Sequence, residues 1–211
     1  VSLSKLKVCG VLTPQEMYDL FNISLDYIGL NFIKTSKRCV TYDSAKKILD
    51  VKNARQSIKA VALFKDQAVD SVIHIIESLN FDLVQLNGSE DQAYINLMPV
   101  PVLRTIYVSE SDTAETVLDR IDAIKANYYI LDRQIQGQGS MVSTSLTNKV
   151  IEENQDKIFL AGGISPENIA GVLNETHPYG IDIAGGLRSG EAIDAQKVIA
   201  CLDVIKSIQG I

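Results

Sequence analysis

The stretch IFLAGGISPENIAGVLNETHPYGIDIAGGL (Ile158–Leu187) decides the fold. It opens with a short apolar run, IFLAG (Ile158–Gly162), and closes with a second, GIDIAG (Gly180–Gly185). Between them, SPEN places Ser165 and Pro166 where a helix starts, with the proline at a position whose missing N–H costs nothing. Strand, helix and strand in this order predict a parallel pair joined by a crossover helix.

The same alternation runs outward to both ends. Upstream strand candidates are LKVC (Leu6–Cys9), YIGLNF (Tyr27–Phe32), KAVALF (Lys59–Phe64) and LVQL (Leu83–Leu86). They continue with VLRTI (Val102–Ile106) and YYILD (Tyr128–Asp132). Near-continuous apolar runs such as VALF fit parallel strands covered on both faces. Helix starts are legible between them. TPQE predicts a capping box, with Thr13 at the N-cap and Glu16 three residues on; SEDQ starts another helix at Ser89. The last helix is expected from about Ala192 to Ile208. Strands each followed by a helix predict a (β/α)8 TIM barrel, with 1–211 as one domain because no linker-like segment divides the chain. The alternative is an open doubly wound sheet, but no GxGxxG follows the first strand.

Bulk properties narrow the function. A formal net charge of -6 offers no basic surface, so nucleic acid is not an expected partner. No apolar run approaches the roughly 20 residues that span a bilayer, and no signal-peptide core is expected at the N-terminus. Three cysteines without a CxxC pair predict reduced thiols and a cytoplasmic location. With only His74 and His177 available, a histidine metal site or a Ser-His-Asp triad is not expected.

In such barrels chemistry sits at the C-terminal strand ends. Gly162 and Gly163 follow the seventh strand; Gly185 and Gly186 follow the eighth. One glycine pair reads as a tight turn. Two pairs, at the loops that usually hold phosphate in this fold, predict an anion site built from backbone N–H groups. Asp132 ends an apolar strand, where partial burial suits a carboxyl to acid–base work; the plainer reading is a salt bridge or a cap. Cys9 ends the first strand, either as a small buried apolar side chain or as a proton-transfer group. Arg38, in the loop after the second strand, offers a planar fork to a carboxylate, against plain solvation.

These residues carry a resemblance along essentially the whole chain. KVCG, IGLNFIKTSKR, LVQLNG, ILDRQIQGQG, LAGGISPENI and IDIAGGLRSG, in that order, resemble successive segments of the phosphoribosylanthranilate isomerase family of tryptophan biosynthesis. The resemblance implies an Amadori rearrangement of N-(5-phosphoribosyl)anthranilate. Asp132 would be the general acid and Cys9 the general base; Arg38 would hold the anthranilate carboxylate. Gln85 and the backbone around Gly162, Gly163, Gly185 and Gly186 would complete the substrate site. It implies no cofactor and no metal, a small phosphorylated substrate as partner, and either a monomer or a homodimer.

The chain departs from the family pattern at several points. Asn87 stands at a usual histidine, and Gln136–Gly139 at a more glycine-rich loop. Val142, Ser143 and Thr144 replace Phe-Asp-Trp, removing an aromatic anchor for the sixth helix. Ala184 and Gly185 replace serines, and Arg188 replaces a glutamate, which suggests an added positive charge near the phosphate. Two other readings compete with this one. Another phosphosugar barrel enzyme fits poorly: metal-dependent epimerases need histidine ligands at strand tips, and the α subunit of tryptophan synthase needs paired carboxylates. A barrel that binds a phosphorylated ligand without turnover has no need of Cys9, Asp132 and Arg38 together.

Overall fold

The computed structural model describes residues 4–54, 57–133, 143–208 and 210. Strands β1 (Lys5–Cys9), β2 (Tyr27–Asn31), β3 (Lys59–Phe64), β4 (Leu83–Leu86), β5 (Val102–Val108), β6 (Tyr128–Arg133), β7 (Ile158–Leu160) and β8 (Gly180–Ile183) close a parallel barrel in chain order. Helices α1 (Pro14–Leu20), α2 (Tyr42–Asn53), α3 (Val69–Leu79), α4 (Gln92–Asn96), α5 (Ala114–Ala123), α6 (Thr144–Glu153), α7 (Ile169–Glu175) and α8 (Ala195–Ile208) follow the strands in turn. The (β/α)8 barrel expected from the sequence is the observed fold. No helix among the described residues is long and apolar enough to cross a membrane.

Side chains alternate across each strand and so build two cores. Outward residues such as Leu6, Val8, Ile28 and Ile181 pack against Met17, Ile48, Val198 and other helix residues. Inward residues Val61, Leu63, Leu83, Leu103 and Ile130 fill the barrel. Truncating one of these, for example Leu63→Ala, is expected to cost about 2–5 kcal/mol. At the N-terminal end of the barrel, rings close the interior. Tyr128 stacks on Tyr179 with centroids 5.3 Å apart, and Phe159 meets Tyr27 edge-on at 5.6 Å.

The sequence boundaries shift at the ends that matter for the site. β7 stops at Leu160 rather than Gly162, because Gly162 and Gly163 turn to φ 90° and 69°, out of the extended region. β8 likewise stops at Ile183, and a single 3-10 turn over Gly185–Leu187 follows. α7 begins at Ile169 rather than Ser165: Asn168 Oδ1 accepts the Ser165 N–H at 2.9 Å and closes a turn ahead of the helix. Asp91, not Ser89, caps α4, since Ser89 donates to Asp66 instead. α8 starts at Ala195; Ala192–Ile193 (β10) pairs antiparallel with Arg188–Ser189 (β9) across a turn at Gly190. Only half of the capping box at Thr13 forms. The Glu16 N–H donates to Thr13 at 3.1 Å, but the Glu16 carboxylate accepts the Leu12 N–H, at 2.6 Å.

Candidate active site

Period two sets which polar residues face the barrel mouth. Lys7 and Cys9 share one face of β1, and Asp132 lies two residues beyond the inward Ile130 on β6. Asp132 is in register with Tyr107 of β5. Burial, and after it the Asp132 charge, pushes the Tyr107 hydroxyl upward. Cys9 and Asp132 therefore stand at one mouth, on strands from different sides of the barrel.

Cys9 is half-buried, and Gly10 turns the chain immediately after it, at φ 83°. Burial pushes the thiol up to about 11; the neighbouring Lys7 charge opposes this and Asp182 reinforces it. The surroundings of Cys9 thus favour the thiol over the thiolate. Directly below, the fully buried Lys7 Nζ donates to Asp182 Oδ1 at 2.8 Å. Burial pulls the Lys7 ammonium down, but Asp182 outweighs it with help from Cys9, so the net shift is upward. Gly29 on β2 makes room for both groups. A β-carbon there would lie 3.2 Å from Cys9 Sγ and 3.2 Å from Lys7 Nζ.

Arg38 arches over the same corner. Its Cδ lies 2.6 Å from where a β-carbon of Gly10 would be, and its Nη2 3.5 Å from that position at Gly185. The structure thus brings Cys9, Arg38 and Gly185 together. Gly186 abuts the Ile164 carbonyl of the preceding loop, so the two glycine-bearing loops are packed as one unit. Asn168 stiffens the first of them by donating to the Gly163 carbonyl at 2.8 Å.

Gln85 lies beneath the rim, buried, and its Nε2 donates to Asn87 at 2.9 Å and Thr105 at 3.3 Å. Thr105 also donates to Asn87 at 2.6 Å, so the asparagine is held from two sides. Gln85 Oε1 is buried without a hydrogen-bond partner. Asn87 thus belongs to a polar shelf under the mouth.

Arg188 does not extend a free charge toward the glycine loops. Its guanidinium donates to Glu16 Oε1 at 3.1 Å and to the carbonyls of Gly10 and Glu191. Glu16 also accepts the Ile193 N–H at 3.0 Å. The reversed charge at position 188 has its partner in helix α1, and the pair ties the loop after Cys9 to the β9–β10 turn. Gln136–Gly139 and Val142 lie outside the described residues. Ser143 caps α6, and Thr144 donates to Glu175 at 2.8 Å. Behind Thr144, a cavity of about 50 Å³ opens between Leu131, Leu160, Ile164 and Val172.

A family model for N-(5'-phosphoribosyl)anthranilate (PRA) isomerase matches residues 6–204. The chain belongs to the PRA isomerase family. It is 31% identical over 206 residues to the N-(5'-phosphoribosyl)anthranilate isomerase of Leptospira interrogans, covering 97% of this chain and 95% of that one. The PRA isomerase of Thermus thermophilus superposes with a TM-score of 0.82 at 22% identity, over 97% of this chain and 99% of that one. A further PRA isomerase, solved in complex with reduced 1-(o-carboxyphenylamino)-1-deoxyribulose 5-phosphate, superposes at 0.80 with 19% identity, over 99% and 100%. At these identities the solved structures speak for the fold, and the family match speaks for the isomerase class. Lys7, Asp182 and the Glu16–Arg188 pair were not singled out from the sequence. The signal for the first two was there: opposite charges inside strands that otherwise read as apolar.

Proposed function

We propose that this chain catalyses the Amadori rearrangement of N-(5-phosphoribosyl)anthranilate to 1-(2-carboxyphenylamino)-1-deoxyribulose 5-phosphate, a step of tryptophan biosynthesis. The observation that carries the reading is the placement of Cys9 and Asp132 at one barrel mouth beside the joined glycine loops. Asp132, as the acid, gives its proton to the furanose ring oxygen; the C1–O bond breaks and C1 becomes a Schiff base. Cys9, as thiolate, takes the proton from C2. The C–H electrons form the C1–C2 double bond of an enolamine, which tautomerises to the ketone.

Arg38 holds the anthranilate carboxylate, a role its fork suits and its position over Gly10 supports. Backbone N–H groups around Gly162, Gly163, Gly185 and Gly186 hold the phosphate. Gln85 supports the floor of the substrate site through Asn87. The chain works as one domain, alone or as a homodimer. A cytoplasmic setting accords with its three free thiols.

Turnover of phosphoribosylanthranilate by the purified chain tests the reading, with Cys9→Ser and Asp132→Asn alongside. Each substitution should abolish most of the turnover and leave binding of a phosphorylated product analogue in place. A Cys9→Ser protein with near-normal kcat would return the thiol to a packing role. Tight analogue binding without turnover by the unaltered chain would favour a binding protein.

A further inference from the structure

A fully buried ammonium beneath a candidate base needs an explanation that stability does not supply. Buried ion pairs replaced by well-packed apolar side chains are often neutral or stabilising. Lys7 has three N–H donors and Asp182 takes one of them, at 2.8 Å. Cys9 follows two residues later on the same inward face, so its sulphur and the ammonium face the same corner of the barrel. The space above Gly29 borders both groups, at 3.2 Å each.

We propose that Lys7 is a positioning residue for Cys9: it supplies the positive charge against which the thiolate forms, while Asp182 anchors that charge and limits its effect. The proposal rests on the reading of Cys9 as the base. Among the described residues, the charged groups acting on Cys9 are Lys7 from its own strand, Asp182 from β8 and Arg38 from the loop after β2; the facing residue of β2 is Gly29. Lys7 and Arg38 favour the thiolate, and Asp182 opposes it. Cys9 loses its proton to solvent, the thiolate takes the C2 proton, and the sulphur returns to the thiol. Lys7 remains an ammonium throughout.

Iodoacetamide alkylation of the whole chain, followed peptide by peptide at one mildly alkaline pH, tests this directly, because only the thiolate reacts. Lys7→Met should slow alkylation of Cys9 by roughly tenfold or more, the change in thiolate fraction for each unit of pKa. Asp182→Asn should speed it several-fold, since the Cys9 thiolate then becomes the counter-charge available to Lys7. The exposed Cys39 should react equally in all forms and serves as the internal control. kcat/KM should follow the order of the alkylation rates. Shifts in the same direction for both variants, or no shift in either, would overturn the proposal. If Lys7→Met does not fold, Asp182→Asn decides alone: acceleration supports the assignment, and an unchanged or slower rate defeats it. Alkylation reports the thiolate whether or not the thiol is the base. An error about the base would instead show as an active Cys9→Ser protein.

Discussion

Gly186 lies against the carbonyl oxygen of Ile164, so closely that a β-carbon at position 186 has no room; Ser165 Cα would sit 2.9 Å from it. Backbone meets backbone there, and neither side can rotate away. Gly186→Ala should therefore push the loops after β7 and β8 apart. The expected result is an overpacking cost of about 1–3 kcal/mol in stability. KM for the phosphorylated substrate should rise more than kcat falls. Denaturant melts and steady-state kinetics measure the two effects.

The raised thiol value fixes the form of the pH profile. On the proposed mechanism, turnover needs the thiolate and a protonated Asp132 together. Where the thiol ionises at a higher pH than the acid, the active form is the minor one. Its fraction stays level between the two ionisations, because each gain in thiolate is matched by a loss of protonated acid. On the alkaline side kcat/KM should then fall only as the pH approaches about 11, where the thiol itself titrates. A decline centred near the ordinary thiol value of about 8.5 would show that burial does not govern Cys9.

Arg38→Ala should weaken binding of the product analogue by about 1.5–3 kcal/mol, the range for a hydrogen bond to a charged group. A ligand carrying the phosphate but not the anthranilate should bind as before. Calorimetry with the two ligands separates the cases. Equal losses would move Arg38, whose Nη2 reaches toward Gly185, to the phosphate side of the site.

Arg188→Glu would set a carboxylate against the buried Glu16. Breaking a buried pair costs about 3–5 kcal/mol, and a like charge adds to that, so the variant should melt at markedly lower denaturant. The double exchange Glu16→Arg with Arg188→Glu should recover only part of this, because Glu16 also accepts the N–H groups of Leu12 and Ile193. Arg188→Met should leave the salt dependence of phosphate-analogue binding unchanged, as the guanidinium is engaged elsewhere.

The cavity behind Thr144 gives a gain-of-stability test. Thr144→Met sends a flexible apolar chain toward Leu160 and Val172, at the loss of one exposed hydrogen bond to Glu175. Cavity filling of this kind yields about 0.5–2 kcal/mol. A higher denaturant midpoint with an unchanged slope would register it.

Strands and their order were readable because burial on both faces leaves long apolar runs, as in KAVALF, and the glycines and prolines between them punctuate clearly. Cys9, Asp132 and the glycine pairs stood out by their places at strand ends. What stayed hidden depends on neighbours distant in the chain. Lys7 and Asp182 lie on adjacent strands from opposite ends of the sequence, and only barrel closure pairs β1 with β8. Glu16 was expected to complete a local capping box. Its actual partner, Arg188, becomes available only when the last turn folds across the first loop. The direction of the Cys9 shift was equally beyond the sequence, because burial outweighs a lysine two residues away.

With Val61, Leu63, Leu103 and Ile130 packing the interior and the rings of Tyr27, Tyr128, Phe159 and Tyr179 closing the far end, the barrel offers a cup rather than a tube. Traffic through a cup is two-way over a single lip. A finished molecule must back out along the route by which the next one enters, so arrival and departure cannot overlap. For an isomerase whose two ligands differ only by an internal rearrangement, this makes the product a direct competitor for the doorway. Its accumulation should throttle the forward reaction by raising apparent KM while leaving the limiting rate untouched.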